Sequence, residues 1–311
     1  MSITVVGSIA FDAVETPFGA RERMLGGAAT HFALAASLFD RVHLVGPVGE
    51  DFGQEELAVL ATRGSSIDDV ERVAGGKTFF WKGKYGWDLN TRETLETQLN
   101  VFEHFQPKLS PASRAADVVF LANIQPALQL QVRKQCPAAK FVALDSMNLW
   151  IDIARDELVQ IISQVDCLIL NDGELRQLTE KPNLVSAGRE VLGWGPTIIV
   201  AKQGEYGSSL ITAEEFFSLP AYPLETVIDP TGAGDTFAGG FVGYIARQLD
   251  GRPSIEALRN AMAYGTALAS FNVSAFGTEG VRDVNVGAVR ERVQELWRFA
   301  SFDHVVVELV E

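Results

Sequence analysis

The chain has 311 residues, 47% of them hydrophobic and 21% charged, so it can bury a large core as one domain or as one domain with an appendage. Its formal net charge is −14. Because an acidic surface repels phosphate groups, this charge argues against nucleic acid or an anionic membrane face as a partner, although a local positive site can still bind a nucleotide.

The two cysteines, Cys136 and Cys167, lie in apolar segments and lack the spacing of a disulfide framework or a zinc site. The first residues, Met-Ser-Ile-Thr-Val-Val-Gly, contain no basic segment typical of a signal peptide. No apolar run in the sequence reaches the roughly 18 residues of a membrane span. We therefore expect a cytoplasmic protein.

Short apolar runs alternate along the chain with segments of helical period. Six runs predict strands, at Ile3–Val6, Val42–Val45, Val118–Leu121, Phe141–Leu144, Cys167–Leu170 and Thr197–Ala201. They are mostly uninterrupted, as in strands that are buried on both faces. Helices are predicted near residues 28–39, 53–63, 126–135, 152–164, 173–180 and 184–193. This alternation predicts an α/β fold with a doubly wound, mostly parallel sheet flanked by helices, in a single domain spanning residues 1–311.

Two segments interrupt this alternation, at about residues 13–25 and 75–104. The second has aromatic residues in an alternating pattern, at Phe79, Phe80, Trp81, Tyr85 and Trp87. We interpret both segments as strands of a small β-flap set apart from the main sheet; the alternative is an ordinary edge hairpin. Alternation allows one set of aromatic side chains to face a ligand while the other packs or pairs with a second subunit. Packing alone also explains such a stripe.

The most informative segment, residues 227–241, reads Val-Ile-Asp-Pro-Thr-Gly-Ala-Gly-Asp-Thr-Phe-Ala-Gly-Gly-Phe. An apolar strand ends, Pro230 and two glycines turn the chain, and a helix follows from about Ala233. The unpaired N–H groups at a helix N-terminus carry partial positive charge and favour an anion. Gly232 and Gly234 allow the backbone to approach that anion closely, because they have no Cβ.

Asp235 lies in the first turn of this predicted helix, where a carboxylate beside an anion is electrostatically unfavourable. General-base catalysis explains its presence, since a carboxylate can accept the proton of an alcohol that attacks a phosphoryl group. The alternative is a residue that only caps the helix and favours its dipole. The segment lacks the last glycine of G-x-G-x-x-G, and G-x-x-x-x-G-K-[ST] does not occur, which disfavours dinucleotide oxidoreductases and P-loop enzymes.

In these residues the sequence resembles the ribokinase-like (PfkB) family of sugar and nucleoside kinases. Asp229-Pro-Thr-Gly-Ala-Gly-Asp235 resembles the family signature D-T-x-G-A-G-D, with Pro230 in a variable position, and residues 26–33, Gly-Gly-Ala-Ala-Thr-His-Phe-Ala, resemble its G-G-x-x-x-N-x-A element. Further matches follow in the family's order at residues 48–53, 145–148, 171–174 and 202–207. The resemblance covers nearly the whole chain.

The resemblance implies how phosphoryl transfer would be carried out. Asp235 would be the base, and the backbone N–H groups of Gly232, Ala233 and Gly234 would form an anion hole for the charge that develops on the phosphoryl group. ATP and Mg²⁺ are the implied cofactors. The residues implied to bind them are Asn171 and Glu174, partly through water, and, in the ATP-binding loop, Lys202, Gly204 and Gly207.

Two cation sites, one for Mg²⁺ and one for a monovalent cation, can be described in more detail. Asn171 and Glu174 are three residues apart at a predicted strand-to-helix junction, so an amide and a carboxylate can face a hydrated Mg²⁺ together. A capping box is the alternative for this pair. The region Asp229–Thr231 resembles that of family members that bind K⁺ beside the anion hole, so Asp229 and Thr231 are candidate residues for a monovalent cation.

The resemblance also implies a substrate site near the first strands. Asp12 would hold sugar hydroxyls, and Gly26 and Gly27 would allow a sugar to lie against the backbone. His31 stands where the family has a substrate-binding asparagine, and an imidazole cannot reproduce the paired hydrogen bonds of an amide. The alternatives are a surface turn residue for Asp12 and a packed helix residue for His31.

We predict an ATP-dependent kinase that acts on the hydroxymethyl group of a nucleoside or a ribose-like sugar. A phosphorylated substrate would require a cluster of cations near this site. The cations there are not clustered; they are Arg21, Arg23, Lys77, Lys82, Lys84 and Arg92. The aromatic segment suits a stacked base. The alternatives are a kinase of a hexose derivative or another small alcohol, and a non-catalytic ligand-binding regulator. A homodimer joined through the flap is also predicted, since a small sheet exposes an edge and an apolar face.

Overall fold

The computed structural model of the chain describes residues 1–301, and its strands fall into two β-sheets. The strands, in chain order, are β1 (Ser2–Val6), β2 (Ala10–Thr16), β3 (Gly19–Gly26), β4 (Arg41–Gly49), β5 (Ser66–Val73), β6 (Phe79–Tyr85), β7 (Arg92–Gln98), β8 (Val118–Leu121), β9 (Phe141–Asp145), β10 (Cys167–Asn171), β11 (Ile198–Lys202), β12 (Ser208–Ile211) and β13 (Phe216–Leu219).

Helices connect most of these strands and follow the last of them. They are α1 (Ala28–Ala36), α2 (Gln54–Leu60), α3 (Pro111–Arg114), α4 (Pro126–Gln135), α5 (Asn148–Ile153), α6 (Arg155–Ile162), α7 (Asp172–Thr179), α8 (Leu184–Leu192), α9 (Ala233–Gln248), α10 (Ile255–Asn272), α11 (Glu279–Arg282) and α12 (Val286–Ala300). Short 3₁₀ turns occur at Thr62–Gly64, Asn100–His104 and Gly204–Tyr206. Within residues 1–301, every helix is too short or too polar to cross a bilayer.

The main sheet has the strand order β13-β12-β11-β10-β9-β8-β1-β4-β5. The strands from β11 to β5 are parallel, and β12 and β13 are antiparallel additions at one edge. Consecutive residues of a strand pack into different cores: Phe120 contacts the cluster with Phe32 and Phe241, whereas Leu121 lies in the cluster with Ile161. Helices thus cover both faces, and the predicted doubly wound, mostly parallel sheet is confirmed.

The remaining strands form a separate sheet with the order β3-β2-β6-β7, called the small sheet below. β2 and β6 are parallel, and the two outer pairs are antiparallel. This arrangement confirms the predicted flap and rules out a simple edge hairpin on the main sheet. The first flap strand begins at Ala10, three residues before the predicted boundary. The chain passes from β3 directly into α1 through Gly27.

Other predicted boundaries differ from the structure. The helix predicted at 53–63 ends at Leu60, because Arg63 takes the left-handed backbone conformation. The single helix predicted at 152–164 is wrong: α5 and α6 are separate, because Ala154 leaves the helical region with a φ of −144°. Strand β5, with the sequence Ser-Ile-Asp-Asp-Val-Glu-Arg-Val, was not predicted because it is largely polar.

The parallel strands of the main sheet end at the same edge, where α/β sheets commonly bind ligands. Asp145 ends β9, Asn171 ends β10 and Lys202 ends β11, so these three side chains lie on neighbouring strands. The candidate active site lies at this edge.

Candidate active site

The Gly-Ala-Gly turn leads into α9. Gly232 is the N-cap residue with a φ of 74°, and a Cβ at this position would lie 2.4 Å from the ring of His31. Asp229 holds the preceding segment, because its buried carboxylate accepts hydrogen bonds from the N–H groups of Thr231 (2.9 Å) and Gly277 (3.0 Å). The turn is therefore built around a glycine that no other residue can replace without a clash.

Asp235 lies in the first turn of α9, as predicted, and its side chain is partly exposed. Desolvation by the surrounding protein raises the pKa of this carboxyl to about 7; the charge of Asp145 adds to the effect and Lys202 opposes it. A proton acceptor is most effective when its pKa lies near the working pH. The charge environment of Asp235 is thus suited to a general base.

An ion pair joins the ends of β9 and β11 beside this turn. Lys202 Nζ lies 2.7 Å from Asp145 Oδ2, and both side chains are largely buried. The ammonium lies against the turn, since a Cβ on Gly234 would be 3.1 Å from Lys202 Nζ. Burial lowers the pKa of Lys202, but nearby carboxylates, chiefly those of Asp145 and Glu174, outweigh it and raise the pKa above its ordinary value. The lysine is therefore a cation beside the Gly-Ala-Gly turn.

Asp145 begins the family match at residues 145–148, but no role was predicted for it. Its position at the end of β9 is fixed by Gln129, whose side-chain amide donates to the backbone carbonyl of Asp145 at 3.0 Å. Because ligands bind at the carboxyl ends of parallel strands, the position of Asp145 at the end of a buried strand could have predicted that it belongs to the site.

Asn171 and Glu174 form the capping box that was the alternative interpretation. The N–H of Asn171 donates to Glu174 Oε2 at 2.9 Å, and the N–H of Glu174 donates to Asn171 Oδ1 at 2.7 Å. Burial raises the pKa of Glu174 to about 7, with Lys202 opposing and Asp145 adding to the shift. The box leaves Glu174 Oε1 unused, so the two roles are compatible, and the magnesium role stays a prediction.

Gly204 and Gly207 flank the short 3₁₀ turn after β11. Both have positive φ, 58° and 101°, and a Cβ on Gly207 would lie 2.0 Å from the carbonyl oxygen of Leu219. Backbone geometry alone accounts for these glycines. Their part in nucleotide binding stays a prediction.

Asp12 lies in β2, and it is buried rather than the surface turn residue of the alternative interpretation. Its carboxylate covers Gly26, where a Cβ would be 2.0 Å from Asp12 Oδ2. Gly27 has a φ of 95°, and a Cβ there would lie 2.4 Å from the carbonyl oxygen of Ser8. Burial raises the pKa of Asp12 to about 7, and the charges of Asp229 and Asp235 add to the shift, so Asp12 is close enough to the turn to interact with its carboxylates.

His31 is only 1% exposed, and it lies beneath the turn. Its Nδ1 is 2.9 Å from Asn272 Oδ1, and the amide of Asn272 donates to the carbonyl of Thr231 at 2.7 Å while its oxygen accepts from Thr236. Burial lowers the pKa of His31, so the neutral ring donates from Nδ1. His31 and Asn272 therefore support the turn from below.

Nε2 of His31 has no hydrogen-bond partner in the described part of the chain, and its contact with substrate stays a prediction. Asn272 was missed because it lies at the end of α10, 241 residues after His31.

The aromatic side chains of the small sheet divide into packed and site-facing groups. Phe79 packs on Phe102 with ring centroids 5.8 Å apart, and Trp87 is 90% exposed. Trp81 pairs with Asp12 across β2 and β6. Tyr85 is buried, and its hydroxyl accepts a hydrogen bond from Thr231 at 3.2 Å. Of the predicted aromatic stripe, Trp81 and Tyr85 are thus the residues beside the site.

Comparisons with known proteins agree with this geometry. Residues 2–283 match the pfkB family of carbohydrate kinases. A cytidine kinase of Thermococcus kodakarensis is 31% identical over 268 residues, which is 83% of this chain and 92% of that protein. A nucleoside kinase of Methanothermobacter thermautotrophicus is 27% identical over 264 residues, covering 82% of this chain and 80% of that protein.

The fold is also that of a solved structure. The crystal structure of the nucleoside kinase of Methanocaldococcus jannaschii, an archaeal member of the ribokinase family, superposes with a TM-score of 0.78 at 23% identity, covering 94% of this chain and 98% of that one. The motifs, the sheet order and the match over residues 2–283 all lead to the same assignment. The chain belongs to the pfkB family of carbohydrate kinases.

Proposed function

We propose that this kinase transfers the γ-phosphoryl group of ATP to the hydroxymethyl group of a nucleoside. The observation that carries the proposal is Asp235, a carboxyl with a pKa of about 7 placed at the helix N-terminus that Lys202 also faces. Two curated relatives that span most of this chain are a cytidine kinase and a nucleoside kinase. A ribose-like sugar is the second candidate acceptor, since Asp12 is buried beside Gly26 and Gly27 at the opposite wall of the cleft.

The transfer step follows from these positions. The acceptor hydroxyl oxygen bonds to the γ-phosphorus as the bond between that phosphorus and the β,γ-bridging oxygen breaks, which leaves ADP. The hydroxyl proton moves to Asp235. The N–H groups of Gly232 and Gly234 and the ammonium of Lys202 would stabilise the charge on the phosphoryl oxygens. The N–H of Ala233 donates to the carbonyl of Pro230 at 3.2 Å, so it would join them only after that bond opens.

Magnesium would be held on the strand-end side of the cleft. Glu174 fits such a role, because its carboxylate has one oxygen outside the capping box, and a bound cation would offset the burial that raises its pKa. Asn171 supplies an amide oxygen next to it. Oxygen donors of this kind suit Mg²⁺, which keeps several waters and binds ATP phosphates at the same time. When bound, the ion would neutralise phosphate charge, and Gly204 and Gly207 would shape the nucleotide loop.

The cations near the acceptor end support a substrate without a phosphate group. Arg23 pairs with Asp51, and Lys84 pairs with Glu15. Arg21 lies over an aromatic ring, 4.5 Å from its centroid. Because these three groups are already engaged, they do not form a cluster of positive charge for a sugar phosphate.

A substrate panel tests the proposal. We expect kcat/KM with Mg·ATP to be highest for a nucleoside among adenosine, cytidine, inosine, ribose, fructose and fructose 6-phosphate. The kcat/KM for the nucleoside should exceed that for the other acceptors by at least about tenfold, which corresponds to about 1.4 kcal/mol of transition-state binding. A preference for the sugar phosphate or the hexose would overturn the acceptor assignment and leave the kinase class intact.

The charges around Asp235 predict a pH dependence. The carboxyls of Asp12, Glu174 and Asp235 each have a pKa of about 7, so they titrate as a coupled group. Since the base must be ionised, kcat/KM should rise as the pH rises through about 7. In Asp145→Asn a negative charge is removed and Lys202 is released, and both changes lower the pKa of Asp235. The rise should therefore shift to lower pH, and an unchanged midpoint in the variant would contradict this account.

A monovalent cation is proposed beside the anion hole, at Asp229 and Thr231. Asp229 is a buried carboxylate that accepts two backbone hydrogen bonds and has no ion pair in the described structure. We expect turnover at saturating Mg·ATP to be higher in K⁺ than in tetramethylammonium at equal ionic strength. Equal rates in the two salts would exclude a functional cation at this position.

The small sheet is also the proposed dimer interface. Leu95 in β7, Phe18 in the β2–β3 turn and Trp87 in the β6–β7 loop are large exposed hydrophobic residues, and burying them in a second copy would remove apolar area from water. Light scattering at micromolar concentration should give twice the chain mass of 33.8 kDa. Replacing Trp87 and Leu95 by Ser should give the monomer mass. A wild-type monomer would contradict the proposal.

A further inference from the structure

Arg92 is a residue of the small sheet that faces the cleft. It is the first residue of β7 and pairs with Tyr85, whose hydroxyl bonds Thr231 in the segment before the Gly-Ala-Gly turn. Its guanidinium lies 5.4 Å from the ring centroid of Trp81, which pairs with Asp12. Residues four apart in a strand share a face, so Trp81 and Tyr85 define the face that carries Arg92. The guanidinium thus lies beside Trp81 and Tyr85, the two residues through which the small sheet meets Asp12 and Thr231.

A second contact fixes this position from the nucleotide side. The loop that joins β6 to β7 reaches the 3₁₀ turn after β11, where the amide of Asn90 donates to Glu205 Oε1 at 2.8 Å. Asn90 precedes Arg92 by two residues. The small sheet therefore touches the rest of the site on both sides of Arg92, through Asn90 and through Tyr85.

The charges of the cleft show why this cation is available. Five carboxylates surround the site, at Asp12, Asp145, Glu174, Asp229 and Asp235, against two cations. Lys202 is already paired with Asp145. Arg92, by contrast, makes no ion pair within residues 1–301. An anionic ligand that enters the cleft would meet a guanidinium that lies near the Tyr85 hydroxyl and can be bound without breaking an ion pair.

These contacts locate the guanidinium along the cleft. Trp81, over which Arg92 lies, pairs with Asp12 of the acceptor end. Asn90, two residues before Arg92, contacts Glu205 in the turn after β11, on the proposed nucleotide side. The γ-phosphoryl group must pass through this interval when it moves from ATP to the acceptor.

We propose that Arg92 is a catalytic residue that donates hydrogen bonds to the oxygens of the phosphoryl group during its transfer. The proposal rests on the proposed function and names a contact of the same site. The planar guanidinium presents paired N–H donors that match phosphoryl oxygens, which a single ammonium cannot do. No bond of Arg92 forms or breaks.

The test compares Arg92→Met and Arg92→Lys with Lys82→Met, a matched control that removes a cation from the adjacent strand on the opposite face of the small sheet. We expect Arg92→Met to lower kcat by about 100-fold, in the range for losing one transition-state donor. The kcat of Arg92→Lys should lie between those of Arg92→Met and wild type, and the kcat of the Lys82→Met control should equal that of wild type. Circular dichroism melts of all four proteins should coincide, because both residues are exposed.

Ligand binding supplies a second readout that is independent of the acceptor. Calorimetry should show that Arg92→Met binds Mg·ADP as wild type does but binds Mg·ADP with aluminium fluoride, a mimic of the transferring phosphoryl group, at least about tenfold more weakly. Wild-type affinity for the fluoride complex, or a kcat within about threefold of wild type, would overturn the proposal. A wild-type enzyme that prefers another alcohol would overturn only the acceptor assignment, since the ratio of variant to wild type on that alcohol still decides the role of Arg92.

Discussion

Asp235→Asn should lower kcat by roughly 10²–10⁴-fold while the protein stays folded and binds ATP. The amide has the shape of the carboxyl but cannot accept the hydroxyl proton. Its position after the Gly-Ala-Gly turn and its pKa of about 7 both support this role. A variant that retains most of the wild-type kcat would show that the residue only caps α9.

Thermal unfolding of the same variant gives an independent check on the charge of Asp235. Because burial raises the pKa of Asp235 from 3.8 to about 7 in the folded protein, the carboxyl destabilises the fold increasingly as the pH rises between these two values, and the full cost is reached above about pH 7. The Asn variant lacks this ionisation. Its melting temperature relative to wild type should therefore be higher at about pH 8 than at about pH 5, whereas a pH-independent difference would contradict the raised pKa.

Gly232→Ala should be the second damaging change, because it affects both turn geometry and packing. The residue has a φ of 74°, and an added Cβ would lie 2.4 Å from the ring of His31, which is itself held by Asn272. The turn must shift, so its N–H groups no longer point at the phosphoryl oxygens. Loss of such a donor lowers kcat by about 10²–10³-fold.

Gly64→Ala is the matched control for backbone strain. Gly64 has a similar φ of 77°, and no atom lies within 4 Å of the position of its Cβ. Strain alone should cost the control about 1–2 kcal/mol of unfolding free energy and leave activity unchanged. We expect Gly232→Ala to lose more stability than the control and most of its activity. Equal stability losses with retained turnover would contradict the packing of His31 on the turn.

Much of the fold could be predicted from the sequence because the buried strands are apolar on both faces. The runs at β1, β8, β9 and β10 have the bounds expected within a residue, since strands buried on both sides carry little else. Polar edge strands gave no such signal, and β5 with its four charged residues was missed. The antiparallel strands β12 and β13 are four residues each, too short to produce a clear period.

The residues of the candidate site that lie in sequence motifs could be predicted. The residues that only folding brings to the site were missed. Asp235, Lys202 and Glu174 lie at strand or helix ends with recognisable neighbours. Asn272 has none, because it contacts His31 from 241 residues away. Arg92 has none either, because only the pairing of β6 with β7 places it beside Tyr85. His31 itself departs from the family asparagine, and its burial against Gly232 was not deducible from one sequence.

The most direct test of the central claim is the structure of the product. Cytidine and Mg·ATP should be incubated with the enzyme, and the product examined by ³¹P and ¹H NMR with ADP measured in parallel. The account predicts one phosphate ester on the hydroxymethyl oxygen for each ADP formed, and no such ester with the Asp235→Asn variant. ADP formed with inorganic phosphate alone, or an ester on a ring hydroxyl, would contradict it.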